Sequence, residues 1–160
     1  MKNVVSIQKA LTRARRLAYQ ALARRDHSRL EIIEKLQRCG FGPDVVSSVI
    51  QELEAKAYLN DRLFAQSWAQ RVVERKQMGP LALQRKLELK GVDPEIIQEV
   101  LQRICQGIDE EQLALRAVRR RLERVKGDEP RTSGRVLAGY LARKGFTPEV
   151  IEKVLKNDIQ

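Results

Sequence analysis

The chain has 160 residues, of which 32% are charged and only 4% are aromatic, and its formal net charge is +10 at pH 7. It contains no run of about 18 apolar residues, and its first ten residues lack the apolar core of a secretion signal, which argues against a membrane span and against export. A protein this basic attracts polyanions, namely nucleic acid, an anionic membrane or an acidic protein surface. We therefore expect a cytoplasmic, helical protein with a polyanionic partner.

Three helices are predicted in the first third of the chain. The first covers about residues 6–25, where apolar residues recur at spacings of three and four. The second begins at Ser28, because Ser28 and Glu31 have the spacing of a capping box. It ends at Gly40, where a left-handed backbone costs least, and Pro43 begins the third helix at a position that needs no N–H donor.

This pattern of leucine, glycine and proline returns twice. Gly91 follows Gly40 by 51 residues and Gly145 follows by a further 54, each with a leucine four residues before it and a proline three residues after it. A period of this size indicates an array of similar helical units. The sequence predicts an all-α fold of three tandem three-helix repeats in an elongated, curved array. The expected repeats are 1–58, with an extended N-terminal helix, 59–107 and 108–160.

Further helix signals lie in the second and third repeats. Asn60 or Asp61 is expected to cap the first helix of the second repeat. Asp93 and Thr147 each precede a proline, and both are expected to cap the helix that follows. Residues 126–134 are predicted to be the most loop-like segment of the chain. No segment alternates well enough to predict a strand.

The residue types that could support catalysis or metal binding have unsuitable spacing. Cys39 and Cys105 have no metal-ligand pattern, so they are interpreted as small core residues. Asp26, His27 and Ser28 have the side chains of a hydrolase triad, but three successive residues cannot converge on one hydrogen-bonded line. His27 is the only histidine, which excludes sites built on histidine pairs. We predict no catalytic residue, no metal site and no cofactor.

An ordered set of short motifs identifies a family resemblance. The motifs are Arg25-Asp26-His27-Ser28 with Glu31, Tyr58-Leu59-Asn60-Asp61 running into Phe64-Ala65, and Lys90-Gly91-Val92. In this order and at these spacings, they resemble the RecX family of bacterial recombinase regulators over nearly the whole chain. The chain departs from the family pattern at Ala57, where glycine is usual, and at Leu63, where arginine is usual.

The resemblance implies a non-enzymatic regulator of RecA recombinase in homologous recombination, DNA repair and the SOS response. Members of the family modulate, and usually inhibit, filament growth, strand exchange and the associated ATP hydrolysis. The implied partners are the RecA filament, in whose groove the protein would lie, and single-stranded DNA, with duplex DNA as a further candidate. A cytoplasmic monomer with no membrane contact is expected.

Basic stripes are the candidate binding surface. Arg116, Arg120 and Arg124 are spaced by four residues, and Arg13, Arg16 and Arg24 form a similar group on the first helix. Because like charges at this spacing repel, a surface that retains them is expected to meet an anion, with an ordinary solvated face as the alternative. Lys90 and Lys144, which precede helix-ending glycines, have a second interpretation as partners of the negative helix end. The candidate filament-binding and DNA-binding residues are Arg24, Arg25, Arg71, Arg75, Lys76, Lys90, Arg116, Arg120, Arg124, Arg143 and Lys144.

The small number of aromatic residues limits how a nucleic acid could be held. Single-strand binders typically stack bases on aromatic rings, but Tyr19, Phe64, Trp68 and Tyr140 are expected in the core. Phosphate contacts, or salt bridges to an acidic protein groove, are therefore predicted, and binding should fall steeply with salt.

Two other classes of function stay open. One is a transcription regulator that places one helix of each trihelical unit in the DNA major groove. Acidic residues at the start of the third helices, namely Asp44, Glu95 and Glu149, oppose that interpretation. The other is a helical scaffold with no nucleic-acid role, which binding to bare single-stranded DNA would distinguish.

Overall fold

The computed structural model describes residues 2–124 and 133–157. Within these ranges the chain forms nine α-helices and no strand, so the all-α prediction is confirmed for this part. Val125, which the apolar series Leu113, Val118, Leu122 and Val125 predicts as a core residue, lies outside the described residues, as does most of the predicted loop over residues 126–134. The helices are α1 (Lys2–Arg24), α2 (Arg29–Arg38), α3 (Pro43–Ala55), α4 (Asp61–Lys76), α5 (Pro80–Leu89), α6 (Pro94–Gly107), α7 (Glu110–Arg124), α8 (Gly134–Lys144) and α9 (Pro148–Asn157).

Most predicted helix ends are confirmed. The Ser28 hydroxyl accepts a hydrogen bond from the Glu31 N–H at 3.2 Å, and the Glu31 carboxylate accepts one from the Ser28 N–H at 3.1 Å, which completes the capping box. The Asn60 side chain caps α4 by accepting from the Leu63 N–H, and Asp93 caps α6 by accepting from the Glu95 N–H. A proline is the first residue of α3, α6 and α9. The glycines that follow α2, α5 and α8 all have positive φ, as predicted.

The interpretation of the two cysteines as core residues was wrong, because both are exposed. Cys39 is the C-cap residue of α2, and Cys105 lies in the last turn of α6. Helix ends are less covered by neighbouring elements than helix centres, so a small apolar residue there does not have to face the core.

The prediction for Thr147 was only partly correct. The residue directly precedes α9, and its carbonyl accepts from the Ile151 N–H. Its hydroxyl, however, donates to the Glu110 carboxylate at 3.0 Å, and its N–H donates to the same oxygen at 2.8 Å. Thr147 therefore attaches the start of α9 to the first turn of α7 through Glu110.

Contacts between residues divide the chain into two compact units. The first unit runs to Ala65 and includes Leu89–Ile96. Here α1 packs along α3 and against α2, and small alanine side chains on α1 allow close approach. Its core consists of Ala14, Ala18, Ala21, Ile32, Leu36, Val46, Val49, Ile50, Leu53 and Leu59.

The second unit comprises Gln66–Glu88 and the described residues from Ile97 onward. Helix α7 packs against α8 and α9, and α8 packs against α9. The turn that precedes α5 is joined to the end of α8, because the Gly79 N–H donates to the Lys144 carbonyl at 2.9 Å and the Leu81 N–H donates to the Gly145 carbonyl at 3.0 Å. These bonds bring the end of α4 close to α8. Buried apolar residues of α7, α8 and α9, and of the loop before α9, are Leu113, Ala114, Ala117, Val118, Leu137, Leu141, Phe146 and Val154.

Candidate nucleic-acid interface

A strongly basic cleft lies in the second unit, where the end of α4 meets α7 and α8. It has a volume of about 390 Å³. Seven of its ten lining residues are arginine or lysine, and none is acidic. The residues that define this basic cleft are Arg75, Lys76, Gln77, Met78, Arg120, Arg121, Arg124, Tyr140, Arg143 and Lys144.

Two of the cations are held by the carbonyl groups at the end of α4. The Arg120 guanidinium donates to the Arg75 carbonyl at 2.9 Å and to the Gln77 side-chain oxygen at 3.1 Å. The Lys144 ammonium donates to the Lys76 carbonyl. The last carbonyls of a helix lack intrahelical donors and carry a partial negative charge. Arg120 and Lys144 therefore satisfy these groups and have fixed positions in the cleft.

Tyr140 interacts with two cationic groups of the cleft, Arg121 and Lys144. Its hydroxyl donates to the Ala117 carbonyl at 3.3 Å. The central carbon of the Arg121 guanidinium lies 4.6 Å from the ring centroid, and the Lys144 nitrogen lies 5.6 Å from it, both at cation–π distance. The half-buried ring thus positions cations in the cleft.

The cations of the cleft repel one another. Burial lowers the pKa of the Lys144 ammonium, and the nearby charges of Arg120, Arg124 and Lys76 lower it further. In the part of the chain that the structure describes, no carboxylate pairs with a cation of the cleft. An anion bound in this cleft would therefore reduce the repulsion between its cations.

Six of the eleven predicted site residues lie together in the cleft, and the others lie elsewhere. Arg25 and Lys90 both pair with the Glu31 carboxylate, at 3.1 and 2.7 Å, and the Lys90 ammonium also lies 5.6 Å from the Phe64 ring centroid. Burial alone would raise the pKa of Glu31, but hydrogen bonds from Lys90, Arg25 and the Ser28 N–H lower it to about 2. Arg25 and Lys90 are therefore engaged in ion pairs within the first unit.

The remaining predicted residues are exposed on three different helices. Arg24 lies on α1, Arg71 on α4 and Arg116 on α7. The Arg116 side chain donates back to the Gln112 carbonyl of its own helix and does not line the cleft, although Arg120 and Arg124 do. The predicted α7 stripe is therefore divided between the cleft and the open surface.

Sequence reasoning missed four residues of the cleft, namely Gln77, Met78, Arg121 and Tyr140. The run of three arginines at 119–121 was a visible signal for Arg121. Tyr140 was expected in the core, and it is half-buried. No sequence pattern indicated Gln77 or Met78, which line the cleft because the chain turns there after α4.

The described residues do not form other common kinds of site. None of their helices is long and apolar enough to span a bilayer. They also contain no group of three or more histidine, cysteine or acidic side chains that could hold a metal ion.

Comparison with known proteins finds the same family in all three parts of the chain. Family models described as the first, second and third three-helix domains of RecX match residues 14–53, 60–101 and 109–155. Regulatory protein RecX from Legionella pneumophila (strain Corby) is 31% identical over 146 residues, which cover 91% of this chain and 95% of that protein. Its counterpart from Halorhodospira halophila is 34% identical over 135 residues and covers 84% and 81% of the two chains.

A solved structure has the same fold. The crystal structure of RecX from Lactobacillus salivarius superposes with a TM-score of 0.78 at 20% identity, covering 96% of this chain and 99% of that one. Together with the three family models, this similarity confirms the predicted fold of three-helix repeats.

Proposed function

This chain belongs to the RecX family of regulatory proteins, and from that membership we propose that it regulates the RecA recombinase without catalysing a reaction itself. In this proposal it acts in the cytoplasm as a monomer and lies in the groove of RecA filaments on single-stranded DNA. It limits filament growth, strand exchange and the associated ATP hydrolysis. In this proposal its three repeats comprise residues 1–58, 59–107 and 108–160.

We propose the basic cleft as the surface that binds DNA. Seven cations share one concave surface without an acidic lining residue. Such a site favours a ligand with several closely spaced negative charges, and the phosphate backbone of DNA has one charge per nucleotide of each strand. Arg120 and Lys144 are already held at the end of α4, so the other five cations are the principal phosphate ligands.

The cleft favours phosphates over bases. Its one aromatic ring, Tyr140, already interacts with Arg121 and Lys144. Base stacking needs an open ring face, whereas contacts from lysine and arginine to phosphate need none. The proposed contacts therefore give no base preference. In this proposal single-stranded DNA is the main partner, and duplex DNA is a second.

RecA-driven strand exchange and ATP hydrolysis, measured with and without this protein, test the proposal. We expect inhibition of both at stoichiometric or lower amounts. If the protein has no effect on either activity, the regulatory role is wrong. A footprint with clear sequence preference on duplex DNA would instead favour a trihelical transcription regulator.

A double variant tests the role of the cleft. Arg124→Gln with Arg143→Gln removes two lining charges, whereas Arg85→Gln with Lys86→Gln removes two exposed charges of α5, outside the cleft. We expect the cleft variant to inhibit RecA much less than the control variant does. Equal inhibition by both variants would mean that the cleft is only a solvated basic surface.

A further inference from the structure

A second basic surface follows the outer face of α1, in the first unit. At 3.6 residues per turn, Lys9, Arg13, Arg16 and Arg24 fall within an arc of about 80° on the helix surface. All four are exposed. We call these four residues the α1 stripe.

No acidic side chain balances the α1 stripe within the described residues. Helix α1 contains no aspartate or glutamate along its 23 residues. Two neighbouring arginines outside the stripe do have acidic partners, since Arg15 pairs with Glu52 and Arg25 pairs with Glu31. Charge pairing in this unit is therefore selective and leaves one face of α1 positive.

The charges of the α1 stripe destabilise the helix, and the packing of the fold does not require them. Like charges three or four residues apart on a helix destabilise it by about 0.2–0.5 kcal/mol per pair, and both Lys9 with Arg13 and Arg13 with Arg16 have that spacing. The opposite face of α1 provides the packing, through Ala14, Ala18 and other buried residues. The stripe has no part in that packing, so its charges are available to a ligand.

We propose that the α1 stripe binds the phosphate backbone of nucleic acid, as a second site separate from the basic cleft. The distance along the helix from Lys9 to Arg24 is about 22 Å at 1.5 Å per residue. That length corresponds to about six nucleotides of one strand at 3.4 Å per nucleotide. A row of cations on this scale can contact several phosphates of one strand at once.

The composition of the stripe favours phosphate over an acidic protein surface. Gln20 lies in the same arc, so the face consists of lysine, arginine and glutamine. Protein–protein interfaces are usually centred on aromatic and apolar side chains, and this face has none. The apolar face of α1 lies in the core of the first unit, which also argues against insertion into a membrane surface.

This inference goes beyond the proposed function, because it concerns a second site, on α1, and its test needs no RecA. The test is binding of a fluorescently labelled 20-nucleotide oligothymidine to the full chain, followed by anisotropy at several salt concentrations. The stripe variant carries Arg13→Gln and Arg16→Gln. The control variant carries Arg15→Gln and Arg38→Gln, which lowers the net charge by the same amount outside the stripe.

For the stripe variant we expect the slope of log K against log salt to fall in magnitude by about 1.4, or about 0.7 for each lost phosphate contact. The control variant should keep the wild-type slope. Arg13→Lys with Arg16→Lys should also keep it, because lysine retains the charge. Circular dichroism should show unchanged helicity in the stripe variants, since Arg13 and Arg16 are exposed. The same measurement on the control variant checks that loss of the Arg15–Glu52 ion pair leaves the fold intact.

Three results would overturn the proposal. The first is a wild-type slope in the stripe variant. The second is an equal loss in the control variant, which would indicate an effect of net charge alone. The third is weaker binding to RecA filaments with unchanged binding to the oligonucleotide, which would assign the stripe to a protein partner. Failure here would leave the proposed RecA regulation untouched, because that is measured by strand exchange.

Discussion

Three glycines share a left-handed backbone but differ in their surroundings. Gly40, Gly91 and Gly145 have φ of 84°, 70° and 82°. A Cβ atom on Gly40 would meet nothing within 4 Å, whereas one on Gly145 would lie 2.3 Å from the backbone nitrogen of Ala82. Gly40 is therefore needed only for its conformation, and Gly145 is also needed for the close approach of α5 to the end of α8.

The comparison of Gly145→Ala with Gly40→Ala tests this difference. Strain in the left-handed region costs about 1–2 kcal/mol, partly offset by the lower entropy of the unfolded alanine chain. Gly40→Ala should therefore lower the free energy of unfolding by about 1 kcal/mol. Gly145→Ala should lower it by about 1–3 kcal/mol more, because it overpacks the contact with Ala82. Urea denaturation measures both, and equal losses would contradict the packing argument.

Ala57 is a left-handed residue that is not glycine, with φ of 57°. It follows the end of α3, and its N–H donates to the Glu54 carbonyl. Ala57→Gly should stabilise the protein by about 0.5–1 kcal/mol, because relief of backbone strain exceeds the added entropy of the unfolded chain. Thermal unfolding at fixed pH measures the change. An unchanged or lower melting temperature would show that the alanine is not strained.

Glu31 is expected to make the first unit sensitive to acid. Its pKa is about 2 in the folded protein, against an ordinary value of 4.5. A group with a lowered folded pKa stabilises the protein fully above its unfolded pKa, and this stabilisation is lost as the pH falls from about 4.5 to 2. Glu31→Gln should cost on the order of 1–2 kcal/mol at pH 7, once solvent screening at a half-buried site is allowed for.

Urea denaturation of both proteins at pH 7 and pH 3 measures this effect. The difference in stability between wild type and Glu31→Gln should shrink at pH 3. Other carboxylates titrate in both proteins, so the comparison isolates Glu31. A difference that does not change with pH would mean that the ion pairs with Arg25 and Lys90 contribute little.

At the scale of the elements, local sequence signals predicted where helices begin and end but not what covers them. The capping box at Ser28 and the glycine after each second helix depend on neighbouring residues only, and both were correct. Burial depends on distant elements, so the exposure of Cys39 and Cys105 could not be predicted from spacing. The bond from Thr147 to Glu110 joins residues 37 positions apart and has no local signal.

The cations of the basic cleft that bond to the end of α4 have a structural role, and the others are the proposed DNA ligands. Arg120 donates to the Arg75 carbonyl and to Gln77, whereas Arg124 lines the cleft without a hydrogen bond to α4. Arg120→Met should therefore lower the free energy of unfolding by about 0.5–1.5 kcal/mol and weaken DNA binding less than Arg124→Met does. Arg124→Met should weaken DNA binding alone. Urea denaturation and oligonucleotide titration distinguish the two, and equal stability of both variants would contradict the helix-end role.

At the scale of the whole molecule, the cleft shows why the candidate site was only half predicted. Charge and helical spacing identified six of its cations individually. Their convergence depends on contacts between residues far apart in sequence, such as Lys144 with Lys76 at a separation of 68. A repeat predicts similar helices but not which repeats share a surface. The family resemblance predicted the fold, but it did not indicate that Arg25 and Lys90 pair with Glu31 instead of joining the cleft.

Salt dependence tests whether the clustered charges act through phosphates. If the five cations other than Arg120 and Lys144 each contact one phosphate, the slope of log K against log salt on single-stranded DNA should be at least about 3.5 in magnitude. Affinity should then fall at least about a hundredfold between 50 and 200 mM salt. Oligonucleotide anisotropy with wild type and the Arg124→Gln, Arg143→Gln variant measures both quantities. The variant should lose about 1.4 from the slope, and the Arg85→Gln, Lys86→Gln control should lose nothing. Binding that is insensitive to salt would mean that the basic cleft does not hold the DNA backbone.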